Sequence, residues 1–62
     1  MLLETQPESR RKEIFQAVVE AQDGGASVPR SRKVVAERFG VSEQEVRRIE
    51  QEGLDHGWPP LE

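Results

Sequence analysis

Apolar residues recur along the chain every three or four positions, which is the spacing that places them on one face of an α-helix. The first such stripe consists of Ile14, Phe15, Val18 and Ala21. Proline is tolerated in the first turn of a helix, so Pro7 indicates where this helix begins, and the glycines after Asp23 indicate where it ends. The pattern predicts a first helix near residues 8–22.

A second helix is predicted after a connection that is rich in glycine, serine and proline and runs from residue 23 to residue 30. Ser31 can serve as its N-cap, because a serine hydroxyl accepts a hydrogen bond from a free backbone N–H in the first turn. Gly40 then stops the helix, which is expected near residues 31–39. The residues on its inner face are Val35, Ala36 and Phe39.

A third helix is predicted to begin immediately afterwards, because Ser42 and Glu45 have the spacing of a reciprocal capping box. Val46 and Ile49 mark its inner face. Its end is open to two interpretations, since Gly53 and Gly57 both suit a glycine stop. The later stop is favoured, and the helix is expected near residues 43–55.

The second and third helices together match the helix-turn-helix pattern. Ala36 is small enough for two helix backbones to approach each other, Gly40 tolerates the positive φ of a tight turn, and Val41 fills the turn. The sequence therefore predicts an all-α, tri-helical helix-turn-helix domain. The expected organisation is an N-terminal arm at 1–7, the domain at 8–58 and a C-terminal tail at 59–62.

Composition narrows the classes of function. A chain of 62 residues forms one small domain without room for a cleft between lobes. It has no cysteine, and His56 is its single histidine, so the sequence predicts no disulfide, no zinc site, no cofactor and no enzyme activity. No apolar run is long enough for a signal-peptide core or a membrane span. A cytoplasmic protein without a membrane partner is expected.

The charges are distributed unevenly along the chain, whose net charge is -3 at pH 7. Six basic and three acidic residues lie between Arg30 and Ile49, a net charge of +3, whereas the segments before and after carry -2 and -4. A positive hairpin in an acidic chain can still attract phosphate, and such binding is sensitive to salt. The alternative is that these basic side chains only solvate a helix surface.

The third helix has an outward face that suits base recognition. With Val46 and Ile49 facing inward, a rotation of about 100° per residue turns the opposite side toward solvent. The predicted base-reading residues are Gln44, Arg47, Arg48 and Gln51. Arginine can donate two hydrogen bonds to guanine, and glutamine can pair with the adenine edge.

The predicted phosphate contacts are Arg30, Arg32, Lys33 and Ser42. The three basic residues lie at the expected start of the second helix, where free backbone N–H groups favour anions.

The stretch KVVAERFGVSEQEVRRIEQEGL, about a third of the chain, resembles the C-terminal region 4 of bacterial housekeeping sigma factors. The similarity is carried by FGVS, by VRRIE and by the following Leu54. It implies that the helix beginning near Ser42 enters the major groove of a promoter and that Arg47 contacts DNA. The chain departs from the family at Glu43, Gln44 and Arg48, where arginine, glutamate and glutamine are usual. The resemblance implies a free-standing module rather than a whole sigma factor.

The end of the chain contains Trp58, its only tryptophan, followed by two prolines. One interpretation is a lid, in which Trp58 and Leu61 fold back over Leu54 and the first helix and enlarge a small core. The other interpretation is an exposed motif that binds a partner protein.

These observations predict a DNA-binding module, a small bacterial transcription regulator whose partner is double-stranded DNA. The alternative is a protein-interaction module that binds RNA polymerase or another transcription protein through acidic surfaces and the Trp58 tail. One recognition helix reads only a few base pairs, so specific regulation needs a second contact. The isolated domain is expected to be a monomer or a weak homodimer that uses the Trp58 tail or the Leu2–Leu3 arm.

Overall fold

A computed structural model describes residues 6–61 of the chain, and within that range it contains three α-helices and no strand. The helices are α1 at Glu8–Asp23, α2 at Val28–Phe39 and α3 at Glu43–His56. Each helix packs against the other two. The predicted all-α, tri-helical class is confirmed. Most of the predicted arm, including Leu2 and Leu3, lies outside the described residues, as does Glu62.

The core forms where the apolar stripes of the three helices meet. Its buried apolar residues are Ile14, Phe15, Ala17, Val18, Val35, Ala36, Val46, Ile49 and Trp58. The predicted stripes therefore face inward, with two differences in α1. Ala17 is buried although it was not assigned to the stripe, and Ala21 is only half-buried. So few buried side chains indicate modest stability for the isolated domain.

Helix α3 approaches α1 closely at Gly53. A Cβ atom added at Gly53 would collide with the ring of Phe15, so a glycine is needed at this contact. Gly53 is helical and does not end α3. The helix ends instead at Gly57, which adopts a left-handed conformation with φ of 63°. The later of the two predicted stops is confirmed.

Helix α2 begins at Val28, three residues before the predicted start. Its N-cap is Ser27, whose hydroxyl accepts from the backbone N–H of Arg30 at 3.3 Å. Pro29 is tolerated in this first turn because the N–H that it lacks would have no helical partner there. The prediction that Ser31 caps the helix is wrong. Ser31 lies inside the helix, fully buried, and its hydroxyl donates to the carbonyl of Val28 at 2.8 Å.

A three-residue turn joins α2 to α3. Gly40 is left-handed with φ of 71°, and its N–H and that of Val41 both donate to the carbonyl of Ala36. Val41 packs against the core, as predicted. Ser42 then caps α3 by accepting from the backbone N–H of Glu45 at 3.0 Å. These local bonds produce the helix-turn-helix that the sequence pattern predicts.

The residues after α3 fold back onto the core. The Trp58 ring is buried and meets the Phe15 ring edge to face, with 6.2 Å between centroids, while the His56 ring stacks on it at 5.9 Å. The lid interpretation of Trp58 is confirmed. The parts of it that involve Leu54 and Leu61 are wrong, because these side chains remain 57% and 49% exposed. Trp58 packs against Phe15 of α1, whereas Leu54 lies on the side of α3 that is near Val28 and Arg32 of α2.

Candidate nucleic-acid interface

An open groove of about 530 Å³ runs between the start of α2 and the outward side of α3. We call it the α2–α3 groove. The residues that line it are Val28, Arg32, Gln44, Arg47, Arg48, Glu50, Gln51 and Leu54. All four predicted base-reading residues belong to this set, and all four are exposed. The orientation of α3, which is set by the burial of Val46 and Ile49, therefore brings them onto one surface.

The hydrogen-bond donors on this surface are largely free. Within residues 6–61, Arg47 has no side-chain hydrogen bond or ion pair. Arg48 is 73% exposed, and its nearest carboxylate oxygen, on Glu45, is 4.0 Å away, too far for a hydrogen bond. Gln51 donates to Asp55 at 3.1 Å, an exposed contact within one turn that water can replace. These side chains can therefore donate to a ligand at little cost.

The predicted phosphate contacts do not lie together. Arg32 lies in the α2–α3 groove, and its Nε donates to an oxygen of Glu50 at 2.8 Å. Arg30 and Lys33 are exposed but do not line the groove. The oxygen of Ser42 caps α3, which leaves its hydroxyl proton free to donate. The structure thus places Arg32 beside the α3 arginines and places the other bases outside that cluster.

One part of the phosphate prediction is wrong. Free backbone N–H groups were expected beside the three bases, but α2 begins at Val28, so the N–H of Arg30 is already bonded to Ser27. Arg32 and Lys33 lie farther along the helix, where backbone N–H groups have helical partners. Phosphate contact by these residues would therefore depend on their side chains.

A polar network that the sequence pattern does not predict connects the three helices beside the groove. The two carboxylate oxygens of Glu50 accept from Arg32 at 2.8 Å and from Gln22 at 3.1 Å. The same amide nitrogen of Gln22 donates to the Ser31 hydroxyl at 3.0 Å. Side chains from all three helices are joined in this way. No local signal reveals the network, because its members are far apart in the sequence and meet only when the helices pack.

A second interhelical ion pair lies on the other side of α3. Arg11 donates from Nε and Nη2 to the two oxygens of Glu52, at 2.8 and 2.9 Å. Its remaining nitrogen, Nη1, donates to the carbonyl of Gln6 at 2.6 Å. The hydrogen bond to Glu52 raises the pKa of Arg11 above its usual value. The pair connects α1 to α3, and every guanidinium nitrogen of Arg11 is hydrogen-bonded within the domain.

The remaining arginine of the hairpin faces away from the groove. Arg38 lies over the Phe39 ring at 5.4 Å, and Arg10 of α1 lies over the same ring at 5.0 Å. They border a second hollow of about 390 Å³ that also contains Glu13 and Glu20. Its mixed charges do not favour an anion. The α2–α3 groove therefore contains three of the six basic residues of the hairpin, namely Arg32, Arg47 and Arg48.

Comparisons with known proteins gave no match to a protein family, to a curated protein or to a solved structure. The resemblance to sigma factor region 4 therefore stays a prediction from the sequence. Across residues 6–61, no helix is both long and apolar enough to cross a membrane.

Proposed function

We propose that this domain binds double-stranded DNA and places the outward side of α3 in the major groove. The observation that carries the proposal is the arrangement of Arg47 and Arg48, whose donors are free and lie with two glutamines on the exposed side of a helix-turn-helix. Arginine and glutamine offer the donors that guanine and adenine edges accept. As in the sigma region that its sequence resembles, the role would be transcription regulation.

Burial of Trp58 favours this function over the interaction module. An exposed tryptophan was the main feature of the proposed protein-binding tail, and the ring instead packs on Phe15 in the core. The same burial removes the Trp58 side chain as a contact between two copies of the chain. Leu61 is the apolar residue of the tail that remains exposed. Any contact with RNA polymerase or another transcription protein would therefore use other surfaces.

The test is salt-dependent binding of fluorescent duplexes, followed by anisotropy. For the wild-type chain the logarithm of the affinity should fall with the logarithm of the salt concentration, with a slope of about 0.9 for each phosphate contacted. Arg47→Ala and Arg48→Ala should each cost roughly 1–3 kcal/mol and relax the base preference, whereas Arg32→Ala should weaken binding to all sequences alike. Base preference is measured by selecting from a pool of random duplexes.

Arg38→Ala is the matched control, because it removes the same charge from the same hairpin outside the α2–α3 groove. It should change affinity much less than Arg47→Ala. A wild-type chain that binds no duplex at low salt would refute the proposal. Equal losses for Arg38, Arg47 and Arg48 would show attraction by net charge without docking of α3.

A further inference from the structure

Glu50 is an acidic residue in a groove that otherwise carries three arginines. Its side chain is only 14% exposed, and both of its oxygens accept hydrogen bonds. By charge alone it should hinder DNA binding, since a carboxylate repels phosphate. Its contacts indicate a different role.

The contact between Glu50 and Arg32 uses only one of the three guanidinium nitrogens. Nε of Arg32 donates to Glu50 at 2.8 Å, and neither terminal nitrogen has a hydrogen-bond partner among residues 6–61. The guanidinium is planar and rigid, so a bond at Nε fixes the direction of the remaining donors. Arg32 lines the groove, and its side chain is 28% exposed, so an anion can reach it.

Glu50 is itself held in place from two sides. Gln22 of α1 donates to its second oxygen at 3.1 Å, and the same amide donates to the hydroxyl of Ser31 at 3.0 Å. Ser31 is fully buried and donates to the carbonyl of Val28 at 2.8 Å. The carboxylate is therefore oriented by α1 and α2 before any ligand arrives. An arginine that is oriented in advance loses less side-chain freedom on binding.

We propose that Glu50 is a positioning residue for DNA binding. It holds Arg32 through Nε so that the terminal nitrogens face a phosphate that enters the α2–α3 groove. This role rests on the proposed function, and it predicts a change in DNA affinity opposite in sign to the change that charge alone would produce. Removing this acid weakens DNA binding, although the groove becomes more positive.

The experiment compares Glu50→Ala with Glu43→Ala in the full chain, using a fluorescent random-sequence duplex. Glu43 lies on the same helix, is exposed, and has no side-chain bond among the described residues, so the two variants change the charge equally. Glu50→Ala should weaken binding about three- to tenfold, the size of one hydrogen-bonded contact. The slope of the logarithm of its affinity against the logarithm of the salt concentration should become shallower by about 0.9, which corresponds to the loss of one phosphate contact. Glu43→Ala should bind as tightly as the wild type or more tightly.

Three further measurements separate positioning from a general effect on folding. Arg32→Lys keeps the charge but replaces the rigid fork, so it should lose a similar factor in affinity while the helical circular dichroism is retained. The Nε proton signal of Arg32 in nuclear magnetic resonance spectra should exchange slowly with water in the wild type and rapidly in Glu50→Ala. The double variant Arg32→Ala with Glu50→Ala should bind no more weakly than Arg32→Ala alone.

The inference is overturned if the wild type binds DNA and Glu50→Ala binds at least as tightly, or if Arg32→Lys matches the wild type. A wild-type chain that binds no duplex overturns the proposed function and this inference together. The two failures are therefore distinguishable by the wild-type measurement alone.

Discussion

Two arginine–glutamate pairs connect α3 to its neighbours on opposite sides. They differ in the number of guanidinium nitrogens that are hydrogen-bonded within the domain. Arg11 uses all three guanidinium nitrogens, two on Glu52 and one on the carbonyl of Gln6. Arg32 uses only Nε, on Glu50. An arginine whose three nitrogens are all bonded inside the protein is held in place and has few N–H donors left, whereas one whose two terminal nitrogens are unbonded can bind a ligand through both of them.

The two pairs also lie in different surroundings on the two sides of α3. Glu50 and Glu52 are two positions apart, which is a rotation of about 200° around the helix, so they face different neighbours. Beside Glu52, Gly53 contacts Phe15 and Trp58 covers the same ring. Glu50 instead lies in the open groove. We expect substitutions on the α1 side to change stability and substitutions on the groove side to change binding.

The largest expected effect is at the contact between α3 and α1. Gly53→Ala adds a Cβ atom that collides with the Phe15 ring, and overpacking of this kind costs roughly 1–3 kcal/mol. Thermal unfolding followed by circular dichroism should show a lower Tm. The DNA affinity of the chain, measured well below that Tm, should be unchanged because the groove is not altered.

Gly24→Ala is the control for this substitution. A Cβ atom there would lie 3.5 Å from the carbonyl oxygen of Glu20, an ordinary contact, and the φ of -81° suits alanine. This variant should keep the Tm or raise it slightly, because alanine reduces the conformational entropy of the unfolded chain and can add up to about 1 kcal/mol to the free energy of unfolding. Equal destabilisation by both variants would mean that Gly53 is not at a close helix contact.

The next largest effects distinguish the roles of the two ion pairs in stability and in DNA binding. Arg11→Gln should lower the free energy of unfolding by up to about 1 kcal/mol and leave DNA affinity unchanged. Arg32→Gln breaks one bond rather than three, so it should cost less stability but weaken DNA binding. Urea unfolding and anisotropy at about 0.15 M salt, where charges are screened beyond about 8 Å, measure the two quantities. An equal loss of affinity in both variants would contradict the assignment of separate roles.

The smallest expected effect on stability is at Ser42, where the turn meets α3. Ser42→Asp keeps a side-chain oxygen that can cap the helix, so the free energy of unfolding should change by no more than about 0.5 kcal/mol. The added negative charge should weaken DNA binding, because Ser42 is a predicted phosphate contact. Ser42→Asn is the uncharged control and should bind like the wild type. Unchanged affinity in Ser42→Asp would place the start of α3 away from the DNA backbone.

The helix-turn-helix was predictable because its signals are local. Gly40 and the cap at Ser42 act within one helical turn, and the apolar spacing of α3 determines which of its sides faces solvent. The start of α2 was predicted three residues too late, because the serine that caps the helix is Ser27 and not Ser31. Ser31 is the buried one, since it bonds to Gln22 of α1, and that contact exists only in the packed domain.

The sequence by itself determined three helices, a tight turn and the outward side of α3, because these features depend on residues within a few positions of one another. The tertiary structure decided which basic side chains remain free. Arg32 and Glu50 are 18 positions apart, and Arg11 and Glu52 are 41 apart. Helical periodicity gives the side on which a charge lies but not its partner on another helix. Partners at such separations are chosen by the way in which the helices pack.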